Sequence, residues 1–178
     1  MKIKHLITLS VLLTLMTFGA LPKAIDQNGK TLKKQGEFTF TYYGFKVYTI
    51  GYYSEKPARN FADALKDRDK SLILEYHRKL KGSDCAKNAE YILDKNPNVD
   101  PRKFRSKIDE LHEHYYDLKK GDQYRISYTP DKGIELYLNK KKLGKAIPGA
   151  DFQKAYLSIW LSEKHSVSKK LTRTILGL

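Results

Sequence analysis

The sequence predicts an α+β domain in which helices cover one face of an antiparallel sheet. Several segments alternate apolar and polar residues, as half-buried strands do, and others repeat apolar residues every three or four positions, as amphipathic helices do. Tight turns join neighbouring strands, which therefore run antiparallel. The chain holds no internal repeat and no low-complexity linker. We therefore expect a single domain in which strands and helices are grouped along the chain.

The predicted strands are short and rich in aromatic or branched residues. They lie at 38–42, 45–53, 71–77, 124–128, 134–138 and 143–147. Turn residues separate several of them: Asn28-Gly29 precedes the first strand, and Pro130-Asp131 joins the fourth to the fifth. These turns favour hairpins rather than crossover connections.

The predicted helices begin at recognisable caps. Ser83 or Asp84 begins one that runs to Asp94, and Asp100 followed by Pro101 begins the next. A short helix is expected at 60–66. The remaining helices are defined by apolar stripes, which lie at Phe104, Ile108, Leu111 and Tyr115, at Phe152, Tyr156, Ile159 and Trp160, and at Val167, Leu171 and Ile175. Each stripe predicts one buried helix face.

The first residues have the three parts of a secretory signal peptide. Lys2 and Lys4 are followed by an apolar stretch at 6–19, and small residues occupy Gly19, Ala20 and Ala24. The apolar stretch is shorter than the roughly 20 residues that span a bilayer, although an uncleaved anchor is the alternative. We predict a leader over 1–24, cleaved at about 19–24, and a domain over 25–178. The protein is then exported, to the periplasm or the medium.

The composition of this domain indicates which classes of partner it can bind. The 178-residue chain has a formal net charge of +14 and one cysteine, Cys85. A single cysteine forms no internal disulfide, and we expect it to be a small buried apolar residue. The positive charge favours an anionic envelope surface, such as lipid head groups, as a partner. The sequence has no nucleic-acid-binding motif, so we expect no nucleic-acid partner.

The sequence shows no catalytic or metal-binding motif. His112 and His114 are two positions apart, which places them on different helix faces, and we expect surface histidines. The spacing of zinc-binding histidines is absent, and we predict neither a metal ion nor a cofactor. Aromatic side chains remain as the feature of interest, because the chain has thirteen tyrosines. Tyrosine combines an apolar ring with a polar tip, which suits a pocket for an amphipathic ligand.

Four segments of the sequence carry a resemblance to a known family. They are Lys46-Val47-Tyr48-Thr49-Ile50-Gly51-Tyr52-Tyr53-Ser54-Glu55, Lys119-Lys120-Gly121-Asp122 with Tyr128-Thr129-Pro130-Asp131-Lys132-Gly133, Ile147-Pro148-Gly149-Ala150-Asp151-Phe152 leading to Ile159-Trp160-Leu161, and the C-terminal stretch from Leu171 to Gly177. Together they resemble the bacterial chalcone isomerase-like family, whose members commonly carry a signal peptide. The segments occur in the family's order and span about 30–178. The resemblance implies an open-faced sandwich, a curved antiparallel sheet with helices on one face, and a ligand cleft between the two layers.

This chain lacks an arginine that the relatives it resembles use in their sites. The plant isomerase uses an arginine on the strand before the glycine–tyrosine motif, and fatty-acid-binding relatives hold the carboxylate with an arginine and a tyrosine. Here no arginine lies between Lys30 and Glu55, and Phe38 and Phe40 occupy that stretch. The threonine of the plant enzyme falls on Tyr48. The resemblance therefore favours a non-catalytic member of the family.

We predict that the cleft binds a small apolar or amphipathic ligand, such as a fatty acid. Alternation along the first hairpin places Phe38, Phe40, Tyr42 and Tyr48 on one face with Lys46 beside them, and Trp160 closes the cleft from the helix side. These six residues are the predicted ligand-binding set. The alternatives are an isomerase (an intramolecular lyase) with a rebuilt site, and a basic protein that binds envelope components.

Overall fold

A computed structural model describes residues 21–178, and the predicted leader at 1–20 lies outside the described residues. Seven strands form one antiparallel sheet in which sequence neighbours are also spatial neighbours. The strands are β1 (Ala24–Gln27), β2 (Lys30–Tyr42), β3 (Phe45–Ser54), β4 (Lys70–Tyr76), β5 (Gln123–Thr129), β6 (Gly133–Leu138) and β7 (Lys141–Ile147). This confirms the predicted fold class, a curved antiparallel sheet with helices packed against it.

Within residues 21–178, five helices accompany the sheet. They are α1 (Phe61–Ala64), α2 (Gly82–Asp94), α3 (Arg105–His112), α4 (Ala150–Leu161) and α5 (Lys169–Leu176), and a 3-10 helix at Pro101–Phe104 leads into α3. The predicted cap Asp100 accepts a hydrogen bond from the backbone N–H of Arg102, 3.2 Å away, but it begins the 3-10 helix rather than α3. Between residues 21 and 178, no helix is both long enough and apolar enough to cross a membrane.

The structure adds one strand to those predicted and lengthens another. β1 begins at Ala24, where the leader was predicted to end, and β2 begins at Lys30 rather than at 38. The first half of β2, KTLKKQG, escaped prediction because only Leu32 in it is buried, so its alternation is weak. The predicted Asn28-Gly29 turn joins these strands, with φ values of 51° and 76°.

The helix-facing side of the sheet carries the main core. Its rows run across paired strands and consist of Tyr48, Ile50, Tyr52, Leu72, Leu74, Tyr76, Tyr124, Ile126, Tyr128, Ile134 and Leu136. Ile108 and Leu111 of α3, Phe152 and Tyr156 of α4, and Ile175 of α5 bury their side chains in the same cluster. One continuous apolar layer therefore joins the sheet to the helices.

The other side of the sheet is partly covered by the chain's own N-terminal segment. Leu21 packs with Leu32, Tyr53 and Ile73 in a second, smaller cluster. The Gln27 side chain donates to the Tyr128 carbonyl, 2.8 Å away, although β1 and β5 are four positions apart in the sheet. The sheet is therefore curled strongly enough to bring its first hairpin over its own outer face.

Close approach of α5 to β2 depends on Gly36. A Cβ atom at this position would lie 2.2 Å from the backbone oxygen of Thr174, far inside van der Waals contact. The pairing of β2 with β3 is also irregular here, between Lys34 and Gly36. The irregularity bends β2, and the missing side chain leaves room for α5 on the bend.

Lys70 is a buried lysine on the helix-facing side of the sheet. Its Nζ donates to Oε1 of Gln153 at 2.7 Å and to the Lys66 carbonyl, and it lies 5.2 Å from the centre of the Tyr128 ring. Burial lowers the pKa of Lys70 to about 7. The strand prediction began at Ser71 and therefore did not include this lysine.

The first testable prediction concerns Gly36. The substitution Gly36→Ala forces the backbone of α5 away from β2, and we expect it to lower the free energy of unfolding by about 1–3 kcal/mol. The exposed neighbour Lys33 provides the control, since Lys33→Ala should change the same quantity by less than about 0.5 kcal/mol. Guanidinium denaturation measures both. Equal stability of Gly36→Ala and wild type would contradict the packing described here.

The second prediction concerns Lys70 and pH. Its pKa is about 7 in the folded chain and 10.5 for an ordinary lysine, so between these values the unfolded chain binds a proton that the folded chain releases. Stability therefore rises with pH in this window, by at most about 1.4 kcal/mol per pH unit. We expect the rise from pH 7 to pH 9 to disappear in Lys70→Met and to persist in Lys154→Met, whose side chain is exposed.

Above about pH 10, the buried tyrosines act in the opposite direction, because burial raises the pKa of Tyr76 and Tyr156 and only the unfolded phenols ionise. The measurement is therefore confined to pH 7–9. A wild-type stability that is flat over this range, or a slope retained by Lys70→Met, would rule out Lys70 as its source.

Candidate functional site

Five tyrosines meet between the sheet and the helices, and we call this set the tyrosine layer: Tyr48, Tyr76, Tyr115, Tyr124 and Tyr156. The rings of Tyr48 and Tyr76, paired across β3 and β4, have centres 5.8 Å apart, and those of Tyr76 and Tyr124 are 6.1 Å apart. From the helix side, Tyr115 lies 5.5 Å from Tyr124. Edge-to-face contacts of this kind add to the stability gained from burial alone.

A hydrogen-bond chain leads from the surface into the tyrosine layer. Glu90 of α2 lies 2.9 Å from the Arg105 guanidinium and 3.3 Å from Nδ1 of His112. The Nε2 atom of His112 is 3.0 Å from the Tyr156 hydroxyl, which is 2.6 Å from the Tyr115 hydroxyl. Because a carboxylate only accepts, Nδ1 donates to Glu90, Nε2 accepts from Tyr156, and Tyr156 accepts from Tyr115.

Burial is the main influence on the pKa values of the side chains in and around this series of hydrogen bonds. Burial lowers the pKa of His112, an effect that Glu90 partly offsets, so the imidazole is neutral at pH 7. Burial raises the pKa of the Tyr48 and Tyr115 hydroxyls well above the ordinary value and that of Tyr124 to about 12. The tyrosine layer therefore presents neutral phenols, which donate hydrogen bonds but do not act as bases.

Four of the six predicted ligand-binding residues lie together at the edge of this layer. Phe40 stacks on Tyr48 with ring centres 5.3 Å apart, and Phe38 packs against the same cluster from β2. Tyr48 and Trp160 are buried, and the Trp160 indole lies beside the Tyr48 hydroxyl. Phe38 and Phe40 are half-buried, so at this edge aromatic side chains of the core meet solvent.

Tyr42 and Lys46 do not join them, contrary to the predicted alternation. The pairing of β2 and β3 shifts by one residue between Phe40 and Thr41, so Lys46 pairs with Thr41 instead of Tyr42. A shift of one residue moves a side chain to the other face of a sheet. Both residues are exposed at the β2–β3 turn, and Tyr42 is 61% accessible.

Sequence reasoning missed most of the buried polar groups. The expectation of surface histidines is wrong for His112, whose side chain is only 7% exposed, because the short helix α3 turns it toward Tyr156. Cys85 is partly exposed rather than fully buried, and it lies among the tyrosines, where burial raises its pKa to about 11. The one available signal was the helical spacing of the apolar residues of α3, since His112 follows the buried Ile108 by four positions and so lies on the same face.

Two surface concavities lie outside the tyrosine layer. One, of about 320 Å³, is on the outer face of the sheet between Ile25, Ile73 and Arg125. The other, of about 500 Å³, lies beside the β2–β3 turn and is lined by Phe45, Lys46, His77, Arg78 and Lys120. In the part of the chain that the structure describes, no three histidine, cysteine or acidic side chains are grouped to hold a metal ion.

A solved structure shares this architecture. The crystal structure of a fatty-acid-binding protein from Arabidopsis thaliana superposes with a TM-score of 0.64, covering 88% of this chain and 90% of that one. The two sequences are 14% identical, so the similarity shows a common fold and nothing finer. Among curated protein sequences, none is significantly similar to this one.

The sequence itself matches the profile of chalcone isomerase-like domains over residues 18–177, nearly its whole length. The matched range includes all seven strands and all five helices described above. It therefore also includes the tyrosine layer and its edge at Phe38 and Phe40. It agrees with the resemblance noted in the four sequence segments. The chain therefore belongs to the chalcone isomerase-like family.

Proposed function

We propose that this protein is an exported, non-catalytic binding protein for a small amphipathic ligand such as a fatty acid. The ligand lies between the sheet and the helices, with its apolar part against the edge formed by Phe38, Phe40 and Trp160. The observation that carries the proposal is the half-buried state of Phe38 and Phe40 beside a layer of neutral phenols. The fold shared with a fatty-acid-binding protein supports it.

The edge of the layer suits the apolar part of such a ligand. Phe38 and Phe40 pack against the core but keep accessible surface. Each ring can move aside by a change of side-chain rotamer. Covering their exposed area with an acyl chain gains about 25 cal/mol for each Å² removed from water. Since Trp160 borders the same space, binding there changes the surroundings of the chain's single tryptophan.

The tyrosine hydroxyls suit the polar group of such a ligand. The Tyr48 hydroxyl lies at this edge beside the Trp160 indole, and burial raises the pKa of the neighbouring Tyr76 hydroxyl, so both phenols are neutral donors. A carboxylate or hydroxyl of the ligand accepts hydrogen bonds from both phenols. Recognition by neutral donors replaces the arginine that the resemblance implies for fatty-acid-binding relatives.

The same geometry argues for binding rather than isomerisation. An isomerase of the plant type requires a cation beside the phenols to stabilise a phenolate, whereas Phe38 and Phe40 occupy that stretch of β2. The buried lysine on this side of the sheet, Lys70, lies six residues from Tyr76 along β4, about 20 Å away. Its Nζ is engaged by Gln153 and the Lys66 carbonyl.

Export by the predicted leader is part of this proposal, and we propose that the leader is cleaved before Leu21, which the contacts of residues 21–23 support. Leu21 is buried with Leu32 and Tyr53, and the Tyr53 hydroxyl donates to the Pro22 carbonyl, 2.8 Å away. The Lys34 N–H donates to the Lys23 carbonyl at 2.9 Å. Cleavage before Leu21 preserves all these contacts, whereas cleavage after Ala24 removes them.

The third prediction tests ligand binding. Titration of residues 21–178 with a long-chain fatty acid should change Trp160 fluorescence saturably and slow the modification of Cys85 by a thiol reagent. We expect Tyr48→Phe to weaken binding about 2- to 10-fold, the usual effect of losing one neutral hydrogen bond. Phe40→Ala should weaken it by about tenfold or more, since it removes a large apolar contact.

Tyr91→Phe is the matched control, because Tyr91 is exposed on α2 and contacts Lys95 rather than the layer. It should bind as the wild type does. The proposal fails if fatty acids leave both signals unchanged and mass spectrometry of the purified protein finds no bound amphiphile. Turnover of a chalcone that is lost in Tyr48→Phe would instead support the isomerase.

The fourth prediction concerns the N-terminus. A chain that begins at Ile25 loses the buried Leu21 and three hydrogen bonds to the carbonyls of residues 21–23. We expect it to be about 2–5 kcal/mol less stable than one that begins at Leu21. Thermal unfolding of the two proteins measures the difference. Sequencing of the exported protein should find a start at or just before Leu21, and a start at Ile25 would contradict this assignment.

A further inference from the structure

The tip of the β2–β3 hairpin exposes three large aromatic side chains. Tyr42, Tyr43 and Phe45 are 61%, 84% and 66% accessible, and they form most of the exposed large apolar surface among the described residues. Tyr43 and Gly44 form the turn with φ values of 47° and 78°, as a tight two-residue hairpin turn requires. The turn therefore projects the aromatic residues beyond the end of the sheet.

Cations surround this tip. Lys46 follows Phe45 on the hairpin, Arg78 lies just after β4, and Lys120 lies just before β5. Together with His77, these three cations line the concavity of about 500 Å³ beside Phe45. The Arg78 guanidinium lies 5.9 Å from the centre of the Phe45 ring. Within residues 21–178, none of these three cations forms an ion pair.

This combination identifies the class of partner. Tyrosine rings are enriched at the head-group level of bilayers, and lysine and arginine near the surface are attracted to anionic lipids. Three side chains on one turn bury much less than the roughly 800 Å² per partner of a stable protein interface. A bilayer needs no such area, because aromatic insertion and several charges act together. The net charge of +14 adds long-range attraction to the same surface.

We infer that the β2–β3 hairpin tip docks on an anionic lipid bilayer, with Tyr42, Tyr43 and Phe45 in the interfacial region. The concavity lined by Lys46, Arg78 and Lys120 receives the lipid phosphate groups. This surface is separate from the tyrosine layer, and docking does not require a ligand between the sheet and the helices. It gives a role to the exposed Tyr42 and Lys46, of which Lys46 is turned away from the predicted cleft by the bulge in β3.

The test uses residues 21–178, which the structure shows as one folded domain without the apolar leader. Co-sedimentation with vesicles of phosphatidylcholine and about 30% of the anionic lipid phosphatidylglycerol should give saturable binding. Vesicles of phosphatidylcholine alone should bind at least about tenfold more weakly. Binding should fall steeply in 0.5 M salt, because the Debye length there is only about 4 Å.

Two matched pairs of variants locate the contact. Phe45→Ser should weaken binding about tenfold, whereas Tyr91→Ser, at a position with similar accessibility (63%), should leave it unchanged. Removing both cations in Arg78→Gln/Lys120→Gln should weaken binding about 30-fold, about fivefold per cation. The same loss of charge in Lys56→Gln/Lys132→Gln, at the other end of the sheet, should weaken it less than threefold.

Three results would overturn the inference: no sedimentation with anionic vesicles, equal binding to both kinds of vesicle, or equal losses in the tip and control variants. Circular dichroism of each variant shows whether it has folded, and the exposed positions chosen here should not disturb folding. Tyr48→Phe should bind vesicles as the wild type does. Failure of docking and failure of fatty-acid binding are therefore separate outcomes.

Discussion

The structure depends on how tyrosine hydroxyls are accommodated between the sheet and the helices. The rings fill the layer and bury as much apolar surface as phenylalanines would, but each hydroxyl needs a partner or costs about 1–3 kcal/mol. The Tyr124 hydroxyl accepts a hydrogen bond from the Tyr116 N–H and donates one to the His114 carbonyl. The Tyr115 and Tyr156 hydroxyls belong to the series of hydrogen bonds that ends at His112 and Glu90. The connection between α3 and β5, and the packing of α3 against α4, follow from these bonds.

Among the described residues, Tyr52 is the tyrosine whose hydroxyl is buried without a hydrogen-bond partner. The hydroxyls of Tyr48, beside the Trp160 indole, and of Tyr76 are the ones proposed here to meet a ligand. These two residues lie where the layer reaches the half-buried Phe38 and Phe40, so their hydroxyls are the donors within reach of a ligand that enters at this edge. The hydroxyl groups deeper in the layer hold the helices in place and are not available to a ligand. The same residue type therefore stabilises the fold at one end of the layer and, in the function proposed here, binds the ligand at the other.

The sequence predicted the fold class because its strongest signals are local. Alternation in β3 to β6, the Asn28-Gly29 turn and the α5 stripe ending at Gly177 each depend on neighbouring residues, and the structure contains all of them. The site was less predictable because its parts come from distant segments. The partnership of His112 with Tyr156 spans 44 positions, that of Lys70 with Gln153 spans 83, and neither leaves a local pattern. Likewise, no periodicity reveals the bulge that turns Lys46 outward.

That bulge links the two surfaces proposed here. In a regular hairpin, Lys46 would pair with Tyr42, and both would face the tyrosine layer beside Phe40 and Tyr48. A cation at that point would lower the pKa of the nearby phenols and bring the layer closer to the chemistry of an isomerase. The extra residue in β3 instead leaves the phenols neutral and adds Lys46 to the cations at the hairpin tip. One irregularity in strand pairing thus favours ligand binding inside the fold and attraction to an anionic surface outside it.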